Sequence, residues 1–204
     1  FSTHPAMSFL ATPGISKAIW LALKTGLIAS FLSLTFCFII LTGLINCRAF
    51  SILRRTLAAL VAVPHSAVAI GLLFLLAPSG WLMRILSPTL TGFVSPPDWN
   101  LIPDPDGWAL IFGLMAKEIP FLLLVSLAAI ATLPVRKFEN IGSSLGYGRS
   151  TAWMILILPL IYQHIRLPVF AVLVFSLSVV DMALILAPTL PPPLAILVLH
   201  GFQD

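Results

Sequence analysis

Residues 25–45 carry no charge over twenty-one consecutive positions. A helix rises about 1.5 Å per residue, so this run crosses the roughly 30 Å hydrocarbon core of a bilayer, where only helices and closed barrels satisfy their own backbone. Lys17, Trp20 and Lys24 precede it, and Asn46, Cys47 and Arg48 follow it, as residues do at a membrane surface. Three comparable runs come later: about 57–76 with Pro64 and His65 in its middle, about 108–133 with Lys117, Glu118 and Pro120, and about 167–186 with Pro168 and Asp181. Residues 152–161 are apolar over ten positions only, too few to cross, and read as a lead-in to the fourth span. Charged residues make up 9% of the chain against 59% hydrophobic, with a mean hydropathy of +1.08. A soluble globule carries about a quarter charged residues, so lipid must be the solvent for much of this chain. The expected fold class is all-α, a polytopic transmembrane helical bundle.

The connections set an orientation. Arg48, Arg54 and Arg55 follow the first span, and Arg136, Lys137, Arg149 and Arg166 lie between the third and fourth. The other side holds Lys17, Lys24 and Arg84 with Asp98, Asp104, Asp106 and Asp204, and its loop at 77–107 carries Trp81 and Trp99 among many prolines, ahead of Trp108. Seven basic residues against three place the first group in the cytoplasm by the positive-inside rule. The net charge of +4 does not point to nucleic acid, because the basic residues sit at the ends of apolar runs rather than on one face. Cys37 and Cys47 give neither a disulfide framework nor a metal spacing. The opening at Phe1 lacks the pattern of a signal peptide, and four spans leave the end near Asp204 outside. The chain therefore reads as a piece of a longer protein, with a further span expected beyond residue 204.

Lys117, Glu118 and Asp181 are charges inside apolar runs. An ionised group facing hydrocarbon costs roughly 3 kcal/mol even on lenient scales, so each must face the bundle interior, a partner or a watery path. Packing and pathway roles both stay open for them, although Lys117 and Glu118, about 100° apart on a helix, cannot both face one narrow pore. His65 follows a proline that frees a backbone carbonyl, and a neighbouring polar side chain can help satisfy that gap; a proton relay is its alternative role. Gly142-Ser143-Ser144-Leu145-Gly146 fits G-x-S-x-G in form, but it lies in a basic loop with no strand before it, which the nucleophile elbow requires. No phosphate-cradling glycine motif occurs in the sequence, so ATP chemistry by that route belongs to a partner chain.

In the loop at about 134–152, Phe138, Ile141 and Leu145 recur at helical spacing, and Gly146 with Gly148 supplies a stop and a turn. A short amphipathic helix of this kind lies on the bilayer or offers its face to a groove. The run from Glu139 to Pro159 resembles the cytoplasmic signature of binding-protein-dependent ABC importer permeases of the MetI-like superfamily: E-A-A, three residues, G, then about nine residues and I-x-L-P. Gly146 takes the place of the glycine, Leu156 that of the isoleucine, and Leu158-Pro159 that of the L-P. Strict spacing puts Asn140, Ile141 and Gly142 where E-A-A stands, with Glu139 one residue early. Ile119-Pro120-Phe121 in the third span, Asp181 late in the fourth and the outer Ala187-Pro188-Thr189-Leu190-Pro191 run are similar too. The likeness is strongest to the thiamine, iron and putrescine branch and to one lobe of a fused two-lobe permease.

That resemblance implies a single permease domain over 1–204 and no catalytic residue, cofactor or metal of its own. It implies an ATPase-coupling loop containing Glu139, Asn140, Ile141, Gly142, Leu145, Gly146, Leu158 and Pro159. It also implies two ABC ATPase subunits docked on the loops, a second permease lobe, an extracytoplasmic solute-binding protein and a multi-pass place in the inner membrane. Asp181, His65, Lys117 and Glu118 are then the pathway or interface candidates. Two other classes stand beside this reading. A proton-coupled secondary carrier would use Asp181 and His65 as relay groups, and an intramembrane enzyme would need a catalytic constellation that the residues do not assemble.

Overall fold

The computed structural model describes residues 14–44, 48–87, 89–90, 92, 94–95, 102 and 104–201; Cys47, Asp98, Trp99 and Asp204 lie outside them. The regular structure among these residues is entirely helical: α1 (Ile15–Leu44), α2 (Arg48–Ala62), α3 (His65–Leu76), α4 (Trp81–Leu86), α5 (Trp108–Thr132), α6 (Val135–Ser144), α7 (Arg149–Ala152), a π turn (Trp153–Ile157), α8 (Leu158–Ser178), α9 (Asp181–Leu186) and α10 (Leu194–Gly201). Four helical stretches are long and apolar enough to cross a membrane: Ile15–Gly43, His65–Leu86, Trp108–Thr132 and Arg149–Ser178.

The first and third match the apolar runs of the sequence. α1 extends the first backward to Ile15, where Lys24 is held 2.8 Å from Asp106. The third starts where Asp104 accepts the backbone N–H groups of Trp108 and Ala109 at 2.7 and 2.8 Å. Those N–H groups have no partner inside the helix, and a carboxylate also suits the positive end of its dipole.

The second and fourth depart from expectation. Residues 57–76 are not one helix: α2 ends at Ala62 and α3 begins at His65. Pro64 has no N–H for the ladder and disfavours helical geometry at the residue before it; its own ψ is 147°. The membrane-length segment accordingly runs from His65 to Leu86. The fourth is helical from Arg149 to Ser178 rather than over 167–186, and residues 152–161 lead into it as its first part. The chain then leaves helical order at 179–180, and Asp181 heads the short α9 instead of sitting within a continuous span.

Two compact units make up the chain. One comprises residues 1–29, 64–114 and 174–204; in it α9 packs on α3, and Gly113 gives room to Leu186 and Met182, which a Cβ there would meet at 2.6 and 3.0 Å. The other comprises 30–63 and 115–173, with a core of Cys37, Leu41, Leu57, Leu122, Ile161 and Ile165. In lipid, burial of apolar surface does little to drive helices together, so close packing and internal hydrogen bonds carry the association. Lys17, Lys24, Arg84, Asp104 and Asp106 all fall in the first unit, and Arg48, Arg54, Arg55, Arg136, Lys137, Arg149 and Arg166 all in the second.

Candidate functional site

The hairpin made by α6 and α7 gathers most of the loop residues. α6 follows Pro134 and ends in two backbone bonds, Tyr147 N–H to Gly142 O at 2.9 Å and Gly146 N–H to Ser143 O at 3.1 Å. These are the 6→1 and 5→2 bonds of a Schellman stop, which needs a left-handed residue at its corner. Gly146 supplies it at φ +77°. An L side chain is disfavoured in that conformation, although a Cβ there would meet nothing within 4 Å.

Gly142 does a different job. It is buried, and a Cβ at its position would lie 2.5 Å from the Ala152 Cβ and 3.6 Å from Leu156 Cδ1. Only a glycine lets α6 come this close to α7. One turn earlier Glu139 accepts the indole N–H of Trp153 at 2.8 Å, and Arg149 stands 3.9 Å from the same oxygen. Trp153 is 1% exposed, so its N–H would otherwise be a buried donor without an acceptor. Leu158 is buried, Pro159 exposed. Pro159 cannot donate to the carbonyl four residues back, and the helix passes it through the π turn, where Leu158 N–H bonds to Trp153 O. Trp153 and Ile157 both end up in the core.

The amphipathic stripe is shared out. Phe138 packs against the core, whereas Ile141 is 39% and Leu145 63% exposed; Asn140 and Tyr147 are exposed as well. Ser143 and Ser144 donate their hydroxyls to Glu139 O and Ile141 O of their own helix at 3.0 and 2.9 Å. The G-x-S-x-G match is thus the end of a helix and its stop, not a strand–turn–helix elbow.

The four intramembrane candidates separate by unit. Lys117 is 5% exposed and gives its three ammonium protons to Leu60 O, Val61 O and Val63 O at 3.0, 2.8 and 2.6 Å. These carbonyls belong to the last turn of α2 and the break beyond it, where the helix has no N–H groups left to offer. A cation is also favoured at that end of the dipole. Lys117 therefore satisfies carbonyls at the break around Pro64. Glu118, 4% exposed, is likewise buried and engaged. In the first unit the His65 ring packs on Phe175 with centroids 4.7 Å apart. Asp181 is exposed at the first position of α9. The roles of Gly142 and Trp153 were not separable in the sequence; a tryptophan shortly after a lone loop glutamate was the available hint. Among the described residues no group of three or more His, Cys, Asp or Glu side chains is arranged to hold a metal.

Among its described residues the chain has four helical stretches long and apolar enough to cross a membrane, a helix break at Pro64 and a buried lysine held by backbone carbonyls. Its sequence is 29% identical over 190 residues to the inner membrane ABC transporter permease protein YnjC of Escherichia coli (strain K12), covering 93% of this chain and 35% of that protein. No family model matches the chain. The similarity, which takes in nearly the whole chain, supports an ABC transporter permease. The chain spans about a third of the length of this curated relative.

Proposed function

We propose that the chain is one permease lobe of an ATP-driven ABC importer, moving a small polar solute by alternating access in the inner membrane. The hairpin at about 134–152 is its coupling loop on the cytoplasmic side, where a separate ATPase docks. A second lobe and an extracytoplasmic binding protein complete the assembly. The observation that carries this reading is the hairpin itself. Its inner side is fixed by Glu139–Trp153, by the Gly142–Ala152 approach and by the Gly146 stop. Its outer side keeps Ile141, Leu145 and Tyr147 exposed. A rigid element with an unburied apolar face suits a groove on a soluble partner. The similarity to an ABC transporter permease makes an ATPase the natural partner.

Gly146→Asp tests the reading. The added side chain projects into open space, so the protein should still insert and fold, at a cost of about 1 kcal/mol for the left-handed backbone. Copurification of the ATPase at matched expression should fall, and solute uptake with it. Full ATPase binding and uptake in the mutant would remove this hairpin as the coupling site.

A further inference from the structure

The least buried of the membrane-length segments is His65–Leu86, with only 11% of its most apolar window inside the protein. Where α3 turns into α4 it carries a cleft of about 590 Å3, lined among others by Gly71, Phe74, Leu75, Ala77, Trp81 and Arg84. The walls are apolar and open: Phe74 is 69% and Trp81 67% exposed. Arg84 is the cationic group of this lining, and its Nε–H donates to Ser79 O at 2.9 Å, which anchors the guanidinium at the rim. The two nearest described carboxylates in sequence are committed elsewhere, Asp104 to the start of α5 and Asp106 to Lys24. A tryptophan and an arginine at the end of an apolar helix mark the depth of lipid headgroups. Among the described residues no carboxylate pairs with Arg84, and a cation at the edge of an apolar slot complements an anion carrying a hydrocarbon tail.

We propose that this cleft binds one anionic phospholipid, an acyl chain lying along Gly71, Phe74 and Leu75 and the phosphate meeting Arg84. The assignment is independent of what the protein transports. It draws on charge complementarity as well as shape: a phospholipid offers both the tail and the anion, whereas a helix of a second lobe would have to bring its own carboxylate to Arg84.

Gly71 gives a clean probe, because a Cβ there meets nothing within 4 Å. Gly71→Leu therefore adds bulk to the cleft lining from a position open at Cβ, and Arg84→Gln removes the charge. The intact protein, purified from membranes in mild detergent, would be titrated with phosphatidylglycerol or phosphatidylcholine and its bound lipids counted by native mass spectrometry. The wild type should hold one phosphatidylglycerol about fivefold more tightly than phosphatidylcholine, the value of one basic group near a membrane surface. Arg84→Gln should abolish that preference, and Gly71→Leu should lose the tight site for both lipids. Equal retention by all three proteins would overturn the proposal. So would a tight site that appears in the isolated chain but not in the intact assembly, since the cleft would then be covered by protein.

Discussion

Lys117 is 5% exposed and places its three protons on the carbonyls of Leu60, Val61 and Val63, whereas Asp181 faces outward at the head of a six-residue helix. Both are charges in apolar sequence, and a bilayer penalises each unless something compensates it. The region around Lys117 compensates the charge from within: a broken helix end needs donors and an ammonium group has three. Among the described residues no group compensates Asp181, which stands exposed. One charge is thus part of how the protein holds together, and the other stands exposed at the start of α9. The α6–α7 hairpin combines the two patterns, with an inner side closed by Glu139 and Gly142 and an outer side left open at Ile141 and Leu145.

The largest expected effect comes from breaking the closed site. Lys117→Met keeps the length of the side chain and removes its three donors. Each abandoned carbonyl costs about 1–3 kcal/mol, so a loss of about 3 kcal/mol or more is expected. It should be seen as a marked fall of the melting temperature in detergent, with faster proteolysis near residues 60–64. A mutant as stable as wild type would mean that water or lipid headgroups satisfy this break equally well, and the contrast with Asp181 would dissolve.

Next is the inner side of the hairpin. Gly142→Ala places a methyl group 2.5 Å from the Ala152 Cβ, and overpacking of this kind costs about 1–3 kcal/mol. Because the clash is between two named atoms, Ala152→Gly in the same chain should restore most of the lost stability. Additive losses in the double mutant would show that the two positions do not meet.

How far these sites could be read in advance differs for physical reasons. The end of α6 at Gly146 was legible, because a glycine after an amphipathic run is the standard answer to a left-handed stop. The start of the third span was legible because apolar residues begin there at once. The job of Lys117 was not, since its partners are backbone carbonyls more than fifty residues upstream, and carbonyls leave no trace in side-chain patterns. Gly142 looked like its neighbours until Ala152 arrived beside it. Residues 57–76 read as one span because the apolar run continues through Pro64, and the lysine that compensates the break lies more than fifty residues downstream. Residues 152–161 looked too short to cross because only ten positions are apolar before Gln163, His164 and Arg166, through which the helix nevertheless continues.

A smaller effect is expected at Glu139. Glu139→Ala deprives the buried Trp153 N–H of its acceptor, worth about 1–2 kcal/mol. Glu139→Gln keeps an oxygen in place and should cost a few tenths, since the Arg149 contact at 3.9 Å is half-exposed and weak. A Gln mutant as damaged as Ala would shift the weight from the hydrogen bond to the charge. The comparison is read from melting temperature, with the Trp153 fluorescence maximum as a local probe of its pocket.

The smallest change in stability is expected at Asp181, and it is the one that decides whether the open site is open for a reason. An outward carboxylate makes little packing within the chain, so Asp181→Leu should leave the melting temperature of the isolated chain within error. If the surroundings are a pathway or a second lobe, the same substitution should sharply reduce solute uptake or pairing with that lobe, because the polar face it presents is gone. If the surroundings are lipid, Leu should be the better residue, and the mutant should transport normally with a raised melting temperature. Asp181→Asn separates the remaining possibilities. It retains the polarity and shape but not the charge, so uptake preserved in Asn and lost in Leu points to a hydrogen-bonded interface. Loss in both points to a requirement for the negative charge itself. Normal uptake in both proteins, at unchanged or higher stability, would leave Asp181 without a function and would end the contrast with Lys117.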